Sequence, residues 1–283
     1  MGNICIIPAR GGSKRIPRKN IKEFLGKPII AYSIEAAINS KLFDEIMVST
    51  DDPEIAEIAV KYGAKVPFLR SKANSDDFSG TGDVVHEVLK QYESLGSNYE
   101  IACCIYAASP FVNEINLQKG YNLLINGDFD TTFVAVRYGS PILRSYNIDL
   151  NNKTEMNFPE YEAFRSQDLK DAFFDAGQFY WMYSSNFDKL TNKNSFGLNK
   201  GAIKLEEFEV QDIDEPSDWI QAEFKYHYLK QKNDCSVIQT QKGRAIQQNH
   251  GVKIAKADFL YFIHVDTIPP YAFDRTIHQV FVQ

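Results

Sequence analysis

Residues 4–50 read ICIIPARGGSKRIPRKNIKEFLGKPIIAYSIEAAINSKLFDEIMVST. The stretch opens on an apolar run, residues 4–8, that suits a buried strand. It then passes through a loop crowded with glycine and basic residues. Helical spacing follows over residues 28–39, and a second apolar run, 45–50, closes the unit. Strand, helix and strand in this order form a β-α-β unit whose strands lie parallel. Outward from it the alternation continues. Residues 53–62 read as helix, 65–69 as a short third strand, 84–95 as helix, 101–106 as strand, 117–126 as helix and 131–137 as strand. This predicts an α/β fold with a mostly parallel twisted sheet and helices on both faces. Ligands of such sheets sit beyond the carboxyl ends of the strands. The loops after Pro8, Thr50 and Tyr106 are therefore the expected site.

From residue 141 to 200 the pattern breaks. Polar stretches such as 147–157 alternate with aromatic ones such as 173–183, and we read an insertion subdomain over about residues 139–200. Residues 216–230 read as a closing helix with Trp219, Ala222, Tyr226 and Leu229 on one face. The first domain is thus expected to span residues 1–232. From residue 233 a strand-like segment, a basic helix and a second strand begin another α/β unit, too short for an independent core.

The chain has 283 residues, of which 44% are hydrophobic and 24% charged. That balance is ordinary for a soluble globular protein and excludes global disorder. A net charge of -6 speaks against a nucleic-acid partner. No run approaches the roughly 18 apolar residues of a membrane span. The opening residues lack the pattern of a signal peptide, which points to a cytosolic protein. Cys5, Cys103, Cys104 and Cys235 form no C-x-x-C pair. The first three sit in apolar runs and read as small buried hydrophobes, neither zinc ligands nor disulfides.

The loudest local signal is the loop PARGGSKRIPRKN, residues 8–20, directly after the first strand. Gly11 and Gly12 let backbone N–H groups approach a ligand, and Arg10, Lys14, Arg15, Arg18 and Lys19 concentrate positive charge. A triphosphate would satisfy both. The spacing is neither that of a Walker loop nor G-x-G-x-x-G. The second signal is VQDIDEP, residues 210–216. Asp212 and Asp214 fall on one side of an extended segment, and two neighbouring carboxylates suit a divalent cation such as Mg²⁺. Asp214 could equally cap the helix that starts near Pro216. Asp51 and Asp52 resemble a metal pair too, but Pro53 follows and helix capping accounts for them as well.

The loop, the segment VSTDDPEIAEIA and the VQDID motif together resemble the CMP-sugar synthetases that act on nonulosonic acids. Three further stretches, CCIYAASPF from Cys103, RSQDL from Arg165 and DAGQFYW from Asp175, resemble the pseudaminic acid cytidylyltransferases among them. The likeness runs over about residues 3–230. It implies a GT-A-like nucleotidyltransferase fold, CTP and a nonulosonic acid as substrates, Mg²⁺ as cofactor and a homodimer. Carried onto this chain, it places Arg10, Gly11, Gly12, Ser13, Lys14, Lys19, Asn20 and Arg70 at the nucleotide. It makes Asp212 and Asp214 the metal ligands, which with Arg10 and Lys19 form the catalytic set. It puts Tyr106, Arg165 and Gln178 at the sugar. Arg165 taken alone could be an ordinary surface ion-pair residue. Tyr106 stands where sialic acid enzymes have Gln, and Phe174 where the pseudaminic branch is expected to have His. The acceptor expected from this is pseudaminic acid, with legionaminic and sialic acids as alternatives. The tail, 233–283, resembles an internal piece of family 2 glycosyltransferases, and with the rest of such a domain missing no transferase activity is expected from it.

Overall fold

A computed structural model describes residues 2–75, 80–189 and 199–234. The chain divides into two units, Met1–Lys230 and Gln231–Gln283. The tail read as a transferase fragment lies outside the described residues.

In chain order the strands are β1 (Gly2–Pro8), β2 (Glu23–Phe24), β3 (Lys27–Pro28), β4 (Glu45–Ser49), β5 (Tyr99–Ile105), β6 (Thr131–Arg137), β7 (Tyr146–Ile148), β8 (Thr154–Met156), β9 (Phe173–Tyr183) and β10 (Lys200–Leu205). All of them belong to the first unit. The α-helices are α1 (Ile29–Ser40), α2 (Pro53–Lys61), α3 (Thr81–Ser94), α4 (Glu114–Asn126) and α5 (Pro216–Asp234). Six strands form the main sheet in the order β10-β6-β9-β5-β1-β4. β1 lies parallel to β4 and β5, and β10 parallel to β6, while β9 runs antiparallel between β5 and β6.

The central strands β1 and β5 carry continuous buried runs, residues 4–7 and 101–105, because both faces are covered. Ile4 and Ile6 turn toward Val85, Val88 and Tyr92 of α3. Cys5 and Ile7 turn the other way, toward Ile30 and Ile34 of α1 and Leu117 and Leu124 of α4. α1, α2 and α4 thus pack on one face, and α3, which leads into β5, packs on the other. The chain runs from β1 out to β4 and returns past β1 to β5, and a crevice opens at the carboxyl ends where strand order reverses in this way. Here that crevice lies above β1 and β5. A third cluster joins Phe24 and Tyr32 to Trp219 and Ala222 of α5, with Phe24 and Trp219 edge to face at 5.5 Å. Cys5, Cys103 and Cys104 are free and buried.

Two expectations are corrected. Residues 65–69 form no strand. Lys65 makes a single bridge to Met47, donating to Ile46 O at 2.8 Å and accepting from Val48 N at 2.9 Å. The next donor a parallel ladder needs falls on Pro67, which has no N–H. The stretch read as an insertion over 139–200 is two things. A short hairpin, β7–β8, and neighbouring turns do leave the sheet. Phe173–Tyr183, however, is an interior strand whose Phe179 and Trp181 are fully buried, and Lys200 begins the edge strand β10. Burying an aromatic of this size stabilises the fold by about 1.5–3 kcal/mol.

Candidate active site

β1 ends at Pro8, and the backbone continues along β4 with Ala9 N donating to Ser49 O at 2.8 Å. The chain then turns across the carboxyl end of the sheet. Asn20, buried, donates from Nδ2 to Arg10 O at 2.9 Å and closes the loop on itself. Ile16 anchors its middle in the same core cluster that holds Ile213. Two burials in one cluster draw the basic loop against the acidic segment although about two hundred residues separate them.

The contact is direct. Lys19 Nζ donates to Ile213 O at 2.6 Å and lies 3.3 Å from Asp214 Oδ1. Arg15 reaches Asp214 Oδ2 at 2.9 Å and Glu215 Oε1 at 3.2 Å. Above them opens a cleft of about 260 Å³ lined by Arg10, Ser13, Lys14, Arg15, Lys19, Asn20, Arg70, Tyr106, Asp212 and Asp214, among others. The cationic loop and the carboxylate couple therefore share one cavity.

The two aspartates differ. Burial, then the charge of Asp214, pushes the Asp212 carboxyl up from its ordinary value. Burial acts the same way on Asp214, but Lys19 and Arg15 outweigh it and hold that carboxyl below the usual range. Helix capping does not occupy Asp214. Asp218 performs it, accepting from Asp214 N at 3.0 Å and Glu215 N at 2.7 Å. A carboxylate destabilised by its neighbour is a place where a divalent cation lowers the energy. No cluster of three or more acidic, His or Cys residues suits a metal among the described residues. Two carboxylates fit Mg²⁺, which takes its other ligands from phosphate and water.

Arg70 lines the cleft from beneath. It is buried, donating from Nε to Ser49 Oγ at 3.1 Å and bonding Ser49 O as well. Burial pulls its pKa down. Tyr106, just past β5, borders the cleft on one side and a second cavity of about 280 Å³ on the other. Its hydroxyl is 3.3 Å from Thr81 Oγ1, its ring 5.4 Å from that of Tyr180, and burial raises its pKa. Tyr180 donates to the Asp175 carboxylate at 3.0 Å. The second cavity has an apolar floor of Val85, Cys104, Phe133, Met182 and Phe187 under these polar groups.

Four residues expected at the site line neither cavity: Gly11, Gly12, Arg165 and Gln178. Gly11 N–H donates to Asp51 Oδ1 at 2.9 Å and so is not offered to a phosphate. Arg165 is exposed and engages Asp168 in a bidentate pair at 2.7 and 3.0 Å. Gln178 is buried, and its Nε2 donates to Glu209 O at 3.0 Å. It supports the segment that carries Asp212 rather than facing the cavity. Thr81, Asp175 and Tyr180 were missed. Nothing in the local sequence separates a Tyr180 at a cavity wall from strand core, and Thr81 shows only as the start of a helix. Asp52 caps α2 as expected, accepting from Glu54 N and Ile55 N at 2.9 and 3.2 Å.

A triphosphate calls for cations from a loop opposite carboxylates that can share a metal with it, and this cleft has both, as a nucleotidyltransferase requires. A cytidylyltransferase family model matches residues 4–260, and the chain belongs to that family. It is 48% identical over 181 residues to a pseudaminic acid cytidylyltransferase of Campylobacter jejuni, an alignment covering 64% of this chain and 78% of that one. It is 36% identical over 214 residues to a Helicobacter pylori protein named pseudaminic acid cytidylyltransferase and UDP-2,4-diacetamido-2,4,6-trideoxy-beta-L-altropyranose hydrolase, covering 75% of this chain and 40% of that one. Among solved structures, a CMP:2-keto-3-deoxy-manno-octonic acid synthetase complexed with CTP superposes with a TM-score of 0.60 at 16% identity, over 81% of this chain and 100% of that one. That likeness shows the fold.

Proposed function

We propose that the chain transfers CMP from CTP to the anomeric hydroxyl of a nonulosonic acid, pseudaminic acid first among them, releasing pyrophosphate. The observation that supports this most is the shared cleft, where Arg10, Lys14 and Lys19 face Asp212 and Asp214. The triphosphate lies against the loop, and Asn20 and Arg70 fix the nucleotide from below. The sugar acid occupies the adjoining cavity, where apolar walls suit methyl and acyl substituents and Tyr106, Thr81 and Asp175 read polar ones.

The anomeric oxygen attacks the α-phosphorus in line, the bond to the β-phosphate oxygen breaks, and the hydroxyl proton passes to solvent. No enzyme nucleophile is needed, and catalysis is positioning plus charge neutralisation. Mg²⁺ held by Asp212 and Asp214 would supply part of that neutralisation. Lys19 and Arg10 offset charge on the phosphates and on the departing pyrophosphate. Arg165 has no part in this reading as placed.

The protein acts in the cytosol and as a homodimer in this proposal. Exposed Tyr146, Ile148 and Leu150 on and beside the β7–β8 hairpin are apolar surface of the kind a second copy would cover. No helix among the described residues is long and apolar enough to cross a membrane. The test is a panel of pseudaminic, legionaminic and sialic acids with CTP and Mg²⁺, read by mass spectrometry and pyrophosphate release. CMP-pseudaminic acid should form fastest, Asp212→Asn should lose at least about 100-fold in kcat, and light scattering should give twice the chain mass. A preference for another acid would reassign the acceptor. Full turnover by folded Asp212→Asn would remove the metal site.

A further inference from the structure

Four cationic side chains of one loop, Arg10, Lys14, Arg15 and Lys19, line the cleft. Asp214 and Glu215 offset Arg15 and Lys19 on the acidic side, and a second set of carboxylates holds the loop from outside the cleft. The fifth cation, Arg18, points the other way. Its guanidinium pairs with Asp52 and Glu54 at the start of α2. Its backbone sits at φ 57°, ψ 28°, the left-handed region that residues with side chains seldom adopt. That turn is what sends the next residue, Lys19, back toward Ile213 and Asp214.

The other end of the loop is hooked to the same place. Gly11 N–H donates to Asp51 Oδ1 at 2.9 Å. A Cβ at position 11 would lie 2.6 Å from Asp52 Oδ2, so only glycine allows this approach. Thr50 Oγ1 in turn accepts from Asp52 N at 3.1 Å and fixes the junction. Two consecutive carboxylates thus grip both ends of the loop. Asp51, Asp52 and Arg18 do not line the cleft.

We infer that Asp52, acting through Arg18, is a positioning residue that presets the nucleotide loop for CTP. The inference rests on the reading that this loop binds the triphosphate. A loop already in its bound shape loses less freedom on binding, so the grip acts on affinity and not on the chemical step.

Asp52→Asn separates this role from helix capping, because Asn caps a helix about as well as Asp but lacks the charge that holds Arg18. Arg18→Ala removes the other partner. CTP affinity is measured by calorimetry on the full chain with Mg²⁺, alongside KM and kcat. Each single variant should weaken CTP binding and raise its KM about tenfold, with kcat within about twofold of the parent. The double variant should also lose about tenfold, since both changes release the same grip. Parent affinity in Asp52→Asn would overturn the inference. So would losses that multiply to about a hundredfold, or a fall in kcat at unchanged KM. If Asp52→Asn fails to fold, Arg18→Ala carries the test, with the same tenfold loss expected and parent affinity overturning it. Arg10→Ala is the control for the underlying reading. Should it bind CTP normally, the loop assignment fails; should it weaken while Asp52→Asn does not, only the positioning role fails.

Discussion

Charge placed next to charge is the main theme at the level of single residues. Arg10, Lys19, Asp212 and Asp214 stand out in the bare sequence because each would be costly without a counter-charge. The partnership of Arg15 with Asp214 and Glu215 was not legible, because it depends on a fold that brings together residues two hundred positions apart. Arg165 shows the converse: it reads as a ligand for a carboxylate, and it finds one three positions away in Asp168. Asp52 allows a stability prediction. Its bond to Arg18 is the largest of the effects that hold its carboxyl below the ordinary value. Folding therefore gains from its ionisation at any pH above its unfolded value, close to 4. The gain disappears as pH falls through the lower folded value. In urea denaturation at pH 7, Asp52→Ala should cost about 1 kcal/mol from the lost cap, and Asp52→Asn less. The gap between parent and Asp52→Asn should be constant above about pH 5 and close on acidification toward pH 3. A gap that widens with acid would contradict the assignment.

Among the elements, the strands and helices of the first half were readable because apolar runs and 3.6-residue spacing recur there without interruption. β9 was not. Its exposed first residue and an irregularity over residues 176–179 mask an interior strand, and Gly177 sits at φ +61° within it. Phe179, Tyr180 and Trp181 suit strand core in the sequence, and Phe179 and Trp181 are fully buried, but the stretch as a whole reads as part of an insertion and not as a strand of the main sheet. The irregularity has a use. It lets Gln178 reach Glu209 O, and Lys225 of α5 donates to Glu207 O and Val210 O at 3.0 and 3.1 Å. The extended segment carrying Asp212 is therefore tied to β9 on one side and to α5 on the other. Gln178→Leu keeps the volume but leaves a carbonyl short of its donor, which costs about 1–3 kcal/mol. The variant should fold with a lower Tm and need several-fold more Mg²⁺ for half-maximal activity. An unchanged Mg²⁺ requirement in a destabilised protein would mean that the tie serves the fold alone.

Over the whole molecule, the order of elements points to the carboxyl ends of the strands as the place for a ligand, and the cleft opens there. The reversal of strand order at β1 leaves a crevice that the basic loop and the acidic segment enter from the two ends of the main unit. Where that unit stops is a separate question. The family match runs to residue 260, while the division between units falls after Lys230. Every core cluster among the described residues is complete by Leu229, which packs with Trp219, Ala222 and Tyr226 against Phe24 and Tyr32. Among the described residues, none lining the cleft or the second cavity lies beyond Asp214. A chain ending at residue 232 keeps all of these contacts, so it should fold with a Tm within a few degrees of the parent and release pyrophosphate from CTP at the parent rate, the shift of about 4 °C per kcal/mol setting the scale. Loss of turnover in the folded, shortened chain would show that residues 233–283 contribute to the reaction, and loss of folding that the core extends past Leu229.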